Sequence, residues 1–290
     1  MSHSYCRKVI DLLEMIKFSH TVFAFPFALM GAVLASMTSG TVPTVMQLVW
    51  ICVAMVGART GAMGLNRVID ARIDAKNPRT SNRHIPAGKV RLFEAWLLIA
   101  GAFALMLVAA WQLNPLCLQL APIAIVCLAL YSYCKRFTAL AHLVLGFCLA
   151  AAPVGAWIAL RGDIGWPVVV LGFAVLFWVA GFDIFYALQD VDYDQMHGLH
   201  SIPSRFGIKR AFQAARAFHL IMLILLVMLA FAPGLGWIYL TGVAVVGLLL
   251  IYEHRLVHPD DLSRLNAAFF NMNGYISITI FSFTLLDALF

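Results

Sequence analysis

Nine almost uncharged apolar stretches constrain this chain more than any other feature: 18–38, 41–58, 92–113, 115–134, 137–160, 164–187, 211–232, 235–252 and 265–288. Runs of this kind read as membrane helices, because about 20 residues rising ~1.5 Å each cross a hydrocarbon core of ~30 Å. Several are separated only by short turns, such as Asn114-Pro115 and Pro233-Gly234-Leu235-Gly236. Composition agrees with this reading. Hydrophobic residues make up 62% of the chain and charged ones only 12%, against about 25% charged in soluble domains. The sequence predicts an all-α integral membrane bundle of nine transmembrane helices, forming one domain over 1–290.

The basic residues give the orientation. Lys and Arg favour cytoplasmic loops. Arg7, Lys8 and Lys17 lie at or near the N-terminus, and seven more lie between 66 and 91. Lys135 and Arg136 follow the fourth stretch; Arg205, Lys209, Arg210 and Arg216 follow the sixth; Arg255 and Arg264 follow the eighth. The intervening loops carry only Arg161. This alternation predicts nine spans with the N-terminus in the cytoplasm. The net charge of +6 therefore reads as membrane orientation rather than nucleic-acid binding. The six cysteines lack CxxC spacing and read as small packed side chains rather than disulfides or metal thiolates. The first apolar run is too long for a cleavable signal peptide and lacks a small-residue cleavage site.

Two long loops, 66–91 and 188–210, fall on the cytoplasmic side and look related. Each begins with acidic residues at helical spacing, Asp70/Asp74 and Asp190/Asp194. An Ile-Pro step follows, Ile85-Pro86 or Ile202-Pro203, and then Gly88 or Gly207. Each ends in basic residues. This pattern predicts a weak internal repeat, and duplicated halves often place a site at their interface.

Residues three or four apart share a helix face. Asn66, Asp70 and Asp74 therefore form a column of oxygen ligands at the end of the second helix. Asp190 and Asp194 form another, with Tyr186 one turn above and Asp192 turned to solvent. Carboxylates gathered at a membrane boundary repel one another unless a cation neutralises them. Mg²⁺ prefers hard oxygen ligands and is commonly held by one or two carboxylates plus substrate phosphates. Two facing sites of this kind would clamp a diphosphate, with Lys135 and Arg136 completing the anion site. A solvated helix end would account for a single DxxxD; two, each opening a long loop, point to Mg²⁺-dependent diphosphate chemistry.

These motifs resemble those of the UbiA superfamily of intramembrane aromatic prenyltransferases. Its N-[DR]-x-x-D-x-x-x-D motif is matched from Asn66 to Asp74. Its Y-x-x-x-K-R-x-T stretch is matched at Tyr131, Lys135, Arg136 and Thr138. Its Y-x-x-x-D-x-x-x-D motif with a following Phe-Gly is matched at Tyr186, Asp190, Asp194 and Phe206-Gly207. Within the family, Lys17-Phe18-Ser19-His20-Thr21, Asn77-Pro78-Arg79-Thr80 and Gly198 to Pro203 look like the 4-hydroxybenzoate polyprenyltransferase-like branch. Some members of that branch are linked to futalosine menaquinone synthesis, with a dihydroxynaphthoate-type acceptor. Arg67 departs from the Asp often found there in 4-hydroxybenzoate enzymes.

The resemblance implies a polyprenyl diphosphate on Mg²⁺ between the two Asp motifs, with Asn66 helping to hold metal. Lys135, Arg136 and Arg67 would hold phosphate oxygens. Ionisation would give an allylic cation, attacked by a ring carbon of an aromatic acid. Tyr131 and Tyr186 are candidates to stabilise that cation through their ring faces. The implied setting is quinone biosynthesis in the cell inner membrane, with the site facing the cytoplasm. Phe18, Phe23, Phe25 and Phe27 would line a lipid exit, or simply pack.

Two charges lie deeper. Arg59 is seven residues before Asn66 and Asp183 is seven before Asp190, about 10 Å further into the membrane. Intramembrane charges are costly and usually functional or paired. Arg59 would bind an acceptor carboxylate, or else pair with Asp183. His20, His142 and His219 lack i,i+4 spacing to another His and read as structural. His20, beside Lys17, is the best candidate among them for a catalytic base. Rival readings are a secondary transporter, whose sites lie nearer the midplane on broken helices, and a CDP-alcohol phosphotransferase, of whose motif only Ala71-Arg72 is present. Haem and chlorophyll prenylation are the alternatives within the family.

Overall fold

The structure is a computed structural model describing residues 2–16, 25–258, 262, 264, 265 and 271–290, with residues 2–7 and 9 described by backbone alone. Every regular element among them is helical. The longer helices are α1 (Ser2–Met15), α2 (Phe25–Ser39), α3 (Val45–Ile69), α4 (Leu92–Leu113), α5 (Pro115–Cys134), α6 (Ala141–Arg161), α7 (Trp166–Ala187), α8 (Ile208–Leu229), α9 (Trp237–Leu256) and α10 (Asn273–Leu289). Seven of these, α3 to α9, are long and apolar enough to cross a membrane. The other two expected spans correspond to α2 and α10, apolar helices of 15 and 17 residues. Each adjoins a segment outside the described residues, 17–24 and 266–270. The α1 helix was not expected. Its Arg7, Lys8, Asp11 and Glu14 keep its hydropathy low, but charged residues do not oppose the helical backbone.

Local chemistry sets the breaks. Asn114 is extended, and its side-chain oxygen accepts the Cys117 N–H at 2.9 Å, capping α5 just before Pro115. Gly162 takes a left-handed conformation, φ 71°, and its N–H bonds Ile158 to close α6. The α3 helix outruns the expected 41–58 by more than two turns. Arg59 depresses the local hydropathy, but the helix's hydrogen bonds are indifferent to it.

The chain divides into two compact units. One comprises Met1–Thr21 and Leu48–Tyr133, hence α1, α3, α4 and α5. There Met15, Ile16, Val90 and Ala95 form a buried cluster that joins α1 to the start of α4. The α3 and α4 backbones approach closely at Gly57, where an added Cβ would stand 2.6 Å from the Ala102 carbonyl oxygen. Small residues permit such approach between membrane helices, whose association rests on packing rather than on water exclusion.

The other unit comprises Val22–Gln47 and Cys134–Phe290. Its centre is α7, in which Val168, Leu171, Trp178, Val179, Ala180 and Ile184 are fully buried. Gly146 lets α6 lie directly on the Leu176 backbone of α7. Phe27 packs against Trp178 with ring centroids 4.8 Å apart, so this Phe is a core residue. Large apolar side chains elsewhere, including Trp111, Phe147, Phe231 and Trp237, are exposed, as surfaces solvated by lipid are. Cys52, Cys117 and Cys127 are free thiols.

Candidate functional site

The first Asp motif sits where α3 ends. Asp70 leaves helical geometry at φ −90°, ψ 0°, and a single turn, Ala71–Asp74, follows. The i to i+4 backbone bonds continue across the break, from Asp70 N to Asn66 O at 3.0 Å and from Asp74 N to Asp70 O at 2.8 Å. The expected column therefore survives although the helix does not run straight through it. Asn66 Nδ2 donates to Asp70 Oδ2 at 3.1 Å, which leaves the amide oxygen as its available ligand atom. Both carboxylates are buried, Asp70 to 1% exposure and Asp74 to 3%.

An arginine of the same loop, which the sequence reading did not single out, faces Asp74. Arg83 Nη1 donates to both Asp74 oxygens at 2.7 Å. Thr80 Oγ1 donates to the Asp74 carbonyl at 3.1 Å, and the Asn77 side chain accepts the Arg79 N–H at 2.9 Å. The Asn77-Pro78-Arg79-Thr80 segment is thus the turn that brings Arg83 back to Asp74. The signal was a basic residue nine positions after an acidic one, across a Pro-containing turn, and periodicity does not report such a pairing. Arg67, expected to hold phosphate, is buried, and its Nε donates to the Met15 carbonyl at 3.2 Å. One of its contacts is thus with the end of α1. Beside it, Asp11, Glu14 and His84 gather ligand atoms within 4.8 Å of one another.

The second motif repeats the break. After Ala187 the chain tightens into a 3₁₀ turn, Leu188–Asp190. Asp190 stands at φ −115°, ψ 10°, and the helix Val191–Met196 follows. Both first Asp residues of the motifs thus occupy the bridge region, which active-site residues frequent. Gly88 and Gly207 correspond as well, at φ 71° and 84°. Asp190, Asp194 and Tyr186 are half-buried and Asp192 is exposed, as expected. Ser201 caps the next helix, Ile202–Phe206, by accepting the Ser204 N–H. The His200 N–H donates to the Lys135 carbonyl at 2.7 Å. The Lys135-Arg136 turn is therefore tied to the second Asp loop, with Lys135 half-buried and Arg136 exposed.

Deeper in α7, Asp183 finds its partner within its own unit. Its Oδ2 lies 2.7 Å from His142 Nδ1. His142 Nε2 accepts the Ile202 N–H at 3.2 Å. Arg59 lies in α3, half-buried, with its Nε buried and without a hydrogen-bond partner among the described residues. Tyr131 is half-buried at the end of α5. Lys17 and His20 lie outside the described residues.

Three comparisons bear on this arrangement. The model of the UbiA prenyltransferase family matches residues 24–275. A 4-hydroxybenzoate octaprenyltransferase of Nitrosospira multiformis is 30% identical over 231 residues, covering 80% of this chain and 79% of that protein. The apo structure of a UbiA homolog from Aeropyrum pernix K1 is 34% identical with a TM-score of 0.83, covering 93% of this chain and 98% of that one. A UbiA homolog from Archaeoglobus fulgidus, bound to GPP and Mg²⁺, shares the fold at 20% identity and a TM-score of 0.66, covering 97% and 100%.

Proposed function

Since the chain belongs to the UbiA prenyltransferase family and is a 4-hydroxybenzoate polyprenyltransferase-like membrane enzyme, we propose that it transfers a polyprenyl group from polyprenyl diphosphate onto an aromatic acid. The acceptor is 4-hydroxybenzoate or a dihydroxynaphthoate, and the setting is ubiquinone or menaquinone biosynthesis. The observation that carries this reading is the repeated helix break at Asp70 and Asp190, each opening a loop with a second Asp one turn on.

The residues fit a hard divalent cation. Asp70 and Asp74 are buried carboxylates, Asn66 has an amide oxygen to offer, and Arg83 is a cation already held against Asp74. Asn66, Asp70 and Asp74 would hold Mg²⁺ in one unit, and Asp190 and Asp194 in the other. When bound, Mg²⁺ supplies charge neutralisation for the departing diphosphate. Lys135 and Arg136 hold phosphate oxygens, as point charge and fork respectively. Tyr131 and Tyr186 offer aromatic faces to the allylic cation. Arg59, with an unused donor in a dry setting, takes the acceptor's carboxylate. No protein nucleophile is required. In this reading the protein crosses the inner membrane nine times, with both Asp loops facing the cytoplasm.

The test is prenyl transfer by the purified protein in detergent. Geranyl or farnesyl diphosphate and Mg²⁺ are supplied with either 4-hydroxybenzoate or a dihydroxynaphthoate, and product is read by mass. Product forms with one acceptor, and is lost with EDTA and in Asp70→Ala and Asp190→Ala. No product with either acceptor, from folded protein that still binds diphosphate, would overturn the acceptor class.

A further inference from the structure

We propose that Asp183, oriented by His142, is the base that removes the ring proton of the acceptor after the new carbon–carbon bond forms. The inference rests on the transferase reading and adds a step to it.

Asp183 is the sole acidic residue in α7, and a carboxylate inside the membrane is expensive unless it has a use. It does not belong to the packed side of the helix. Phe182, Ile184, Phe185, Leu188 and Val191 are buried, whereas Asp183, Tyr186, Asp190 and Asp194 are half-buried. Asp183 and Tyr186, three apart, share one face of α7, and Asp190 and Asp194 follow as half-buried residues beyond the 3₁₀ turn. Asp183 therefore opens onto the same accessible strip of the unit as the second Asp motif. It lies seven residues back from Asp190, about 10 Å along the helix. An aromatic ring placed between the reacting carbon and the membrane interior would meet it there.

The histidine fixes how that carboxylate is presented. His142 has only 4% of its side chain exposed. Its Nε2 accepts the Ile202 N–H, so in a neutral ring the proton is on Nδ1 and is donated to Asp183 Oδ2. One carboxylate oxygen is thereby held, and Oδ1 is left to a ligand. The imidazole contributes one donor and one acceptor, both engaged with protein, so it acts as a positioning residue. Ile202 begins the helix that follows the second Asp loop, so the same ring links that loop to the deeper carboxylate.

The step balances. The C–O bond to diphosphate breaks and its electron pair leaves with the diphosphate. Ring π electrons form the C–C bond to the allylic carbon, giving an arenium ion with one proton in excess. That proton passes to Asp183 Oδ1, and the C–H electron pair restores the aromatic ring. The carboxyl then returns its proton to the released diphosphate.

The experiment compares ring-deuterated with ordinary acceptor in wild type, Asp183→Asn, His142→Leu and His142→Gln, beside thermal unfolding with and without prenyl diphosphate. Asp183→Asn is expected to keep its diphosphate-dependent thermal shift and the KM for prenyl diphosphate. Its kcat falls by about 100-fold, the lower range for a lost general base, and a primary ring-deuterium isotope effect absent from wild type appears. His142→Leu loses about tenfold, as loss of an orienting partner does, again with the isotope effect. His142→Gln, whose amide can donate to Asp183 and accept from Ile202, recovers most of the rate. Wild-type kcat in Asp183→Asn, or a reduced rate with no isotope effect, overturns the proposal. Should Asp183→Asn not fold, His142→Leu decides by the same isotope criterion. Absence of product from wild type with every acceptor is the separate failure of the transferase reading itself.

Discussion

Asp74 shows how much of a site depends on one neighbour. Its carboxylate is 95% covered, and the Arg83 guanidinium, itself mostly covered, supplies the countercharge. Removing one member of a buried ion pair strands the other, at a cost of about 3–5 kcal/mol. Arg83→Ala is therefore expected to lower Tm in metal-free detergent solution by far more than an exposed Arg→Ala change. Added Mg²⁺ should restore part of the loss, because it offers the same carboxylate a different cation. Thermal unfolding with and without Mg²⁺ reads both effects. An Arg83→Ala protein as stable as wild type would mean that Asp74 is satisfied elsewhere.

Helix α7 and its neighbour α6 illustrate what packing demands in this chain. Their backbones touch at Gly146, against Leu176, and α7 contributes the most deeply buried side chains of its unit. Gly146→Leu has no space to occupy. Overpacking ordinarily costs about 1–3 kcal/mol by shifting side chains. Here the obstacle is main chain, so the two helices must part. The expected result is a sharp fall in folded yield and Tm, measured by size exclusion and thermal unfolding. Gly155→Ala, on the same helix where an added Cβ meets nothing within 4 Å, should be tolerated. The helix breaks at the two Asp motifs were less evident from the chain. Spacing of Asn66, Asp70 and Asp74 correctly implied a shared face. It carried no sign that Asp70 and Asp190 would each leave helical geometry; at Asp70 the i to i+4 bonds even persist across the change, and at Asp190 the chain tightens into a 3₁₀ turn. His142 was readable as a satisfied histidine, but its partners lie 41 and 60 residues away, beyond any local pattern.

For the molecule as a whole, hydropathy and charge bias carried most of the argument. Apolar runs located each of the spans α3 to α9, and failed mainly at edges where a charge such as Arg59 falls inside a helix. The proposed nine-span orientation makes a direct prediction. In a background without native cysteines, Ala87→Cys should react with a membrane-impermeant maleimide only from the cytoplasmic side. Ile164→Cys, exposed beyond α6, should react only from the opposite side. Labelling of both from one side would remove the alternation on which the orientation rests. What the sequence did not disclose were the polar contacts that cross loops, because ion pairs such as Arg83 with Asp74 follow from the path of a turn rather than from composition.

That ion pair has one more consequence. Arg83 and Asp74 stand nine residues apart in the chain, so their contact closes the intervening segment into a ring, fastened also where Thr80 bonds the Asp74 carbonyl. A cation that took over Asp74 would loosen the ion pair and free the Arg83 charge at the same moment. The turn would stay tied to the Asp74 backbone through Thr80, so loading would change the loop's charge before its path.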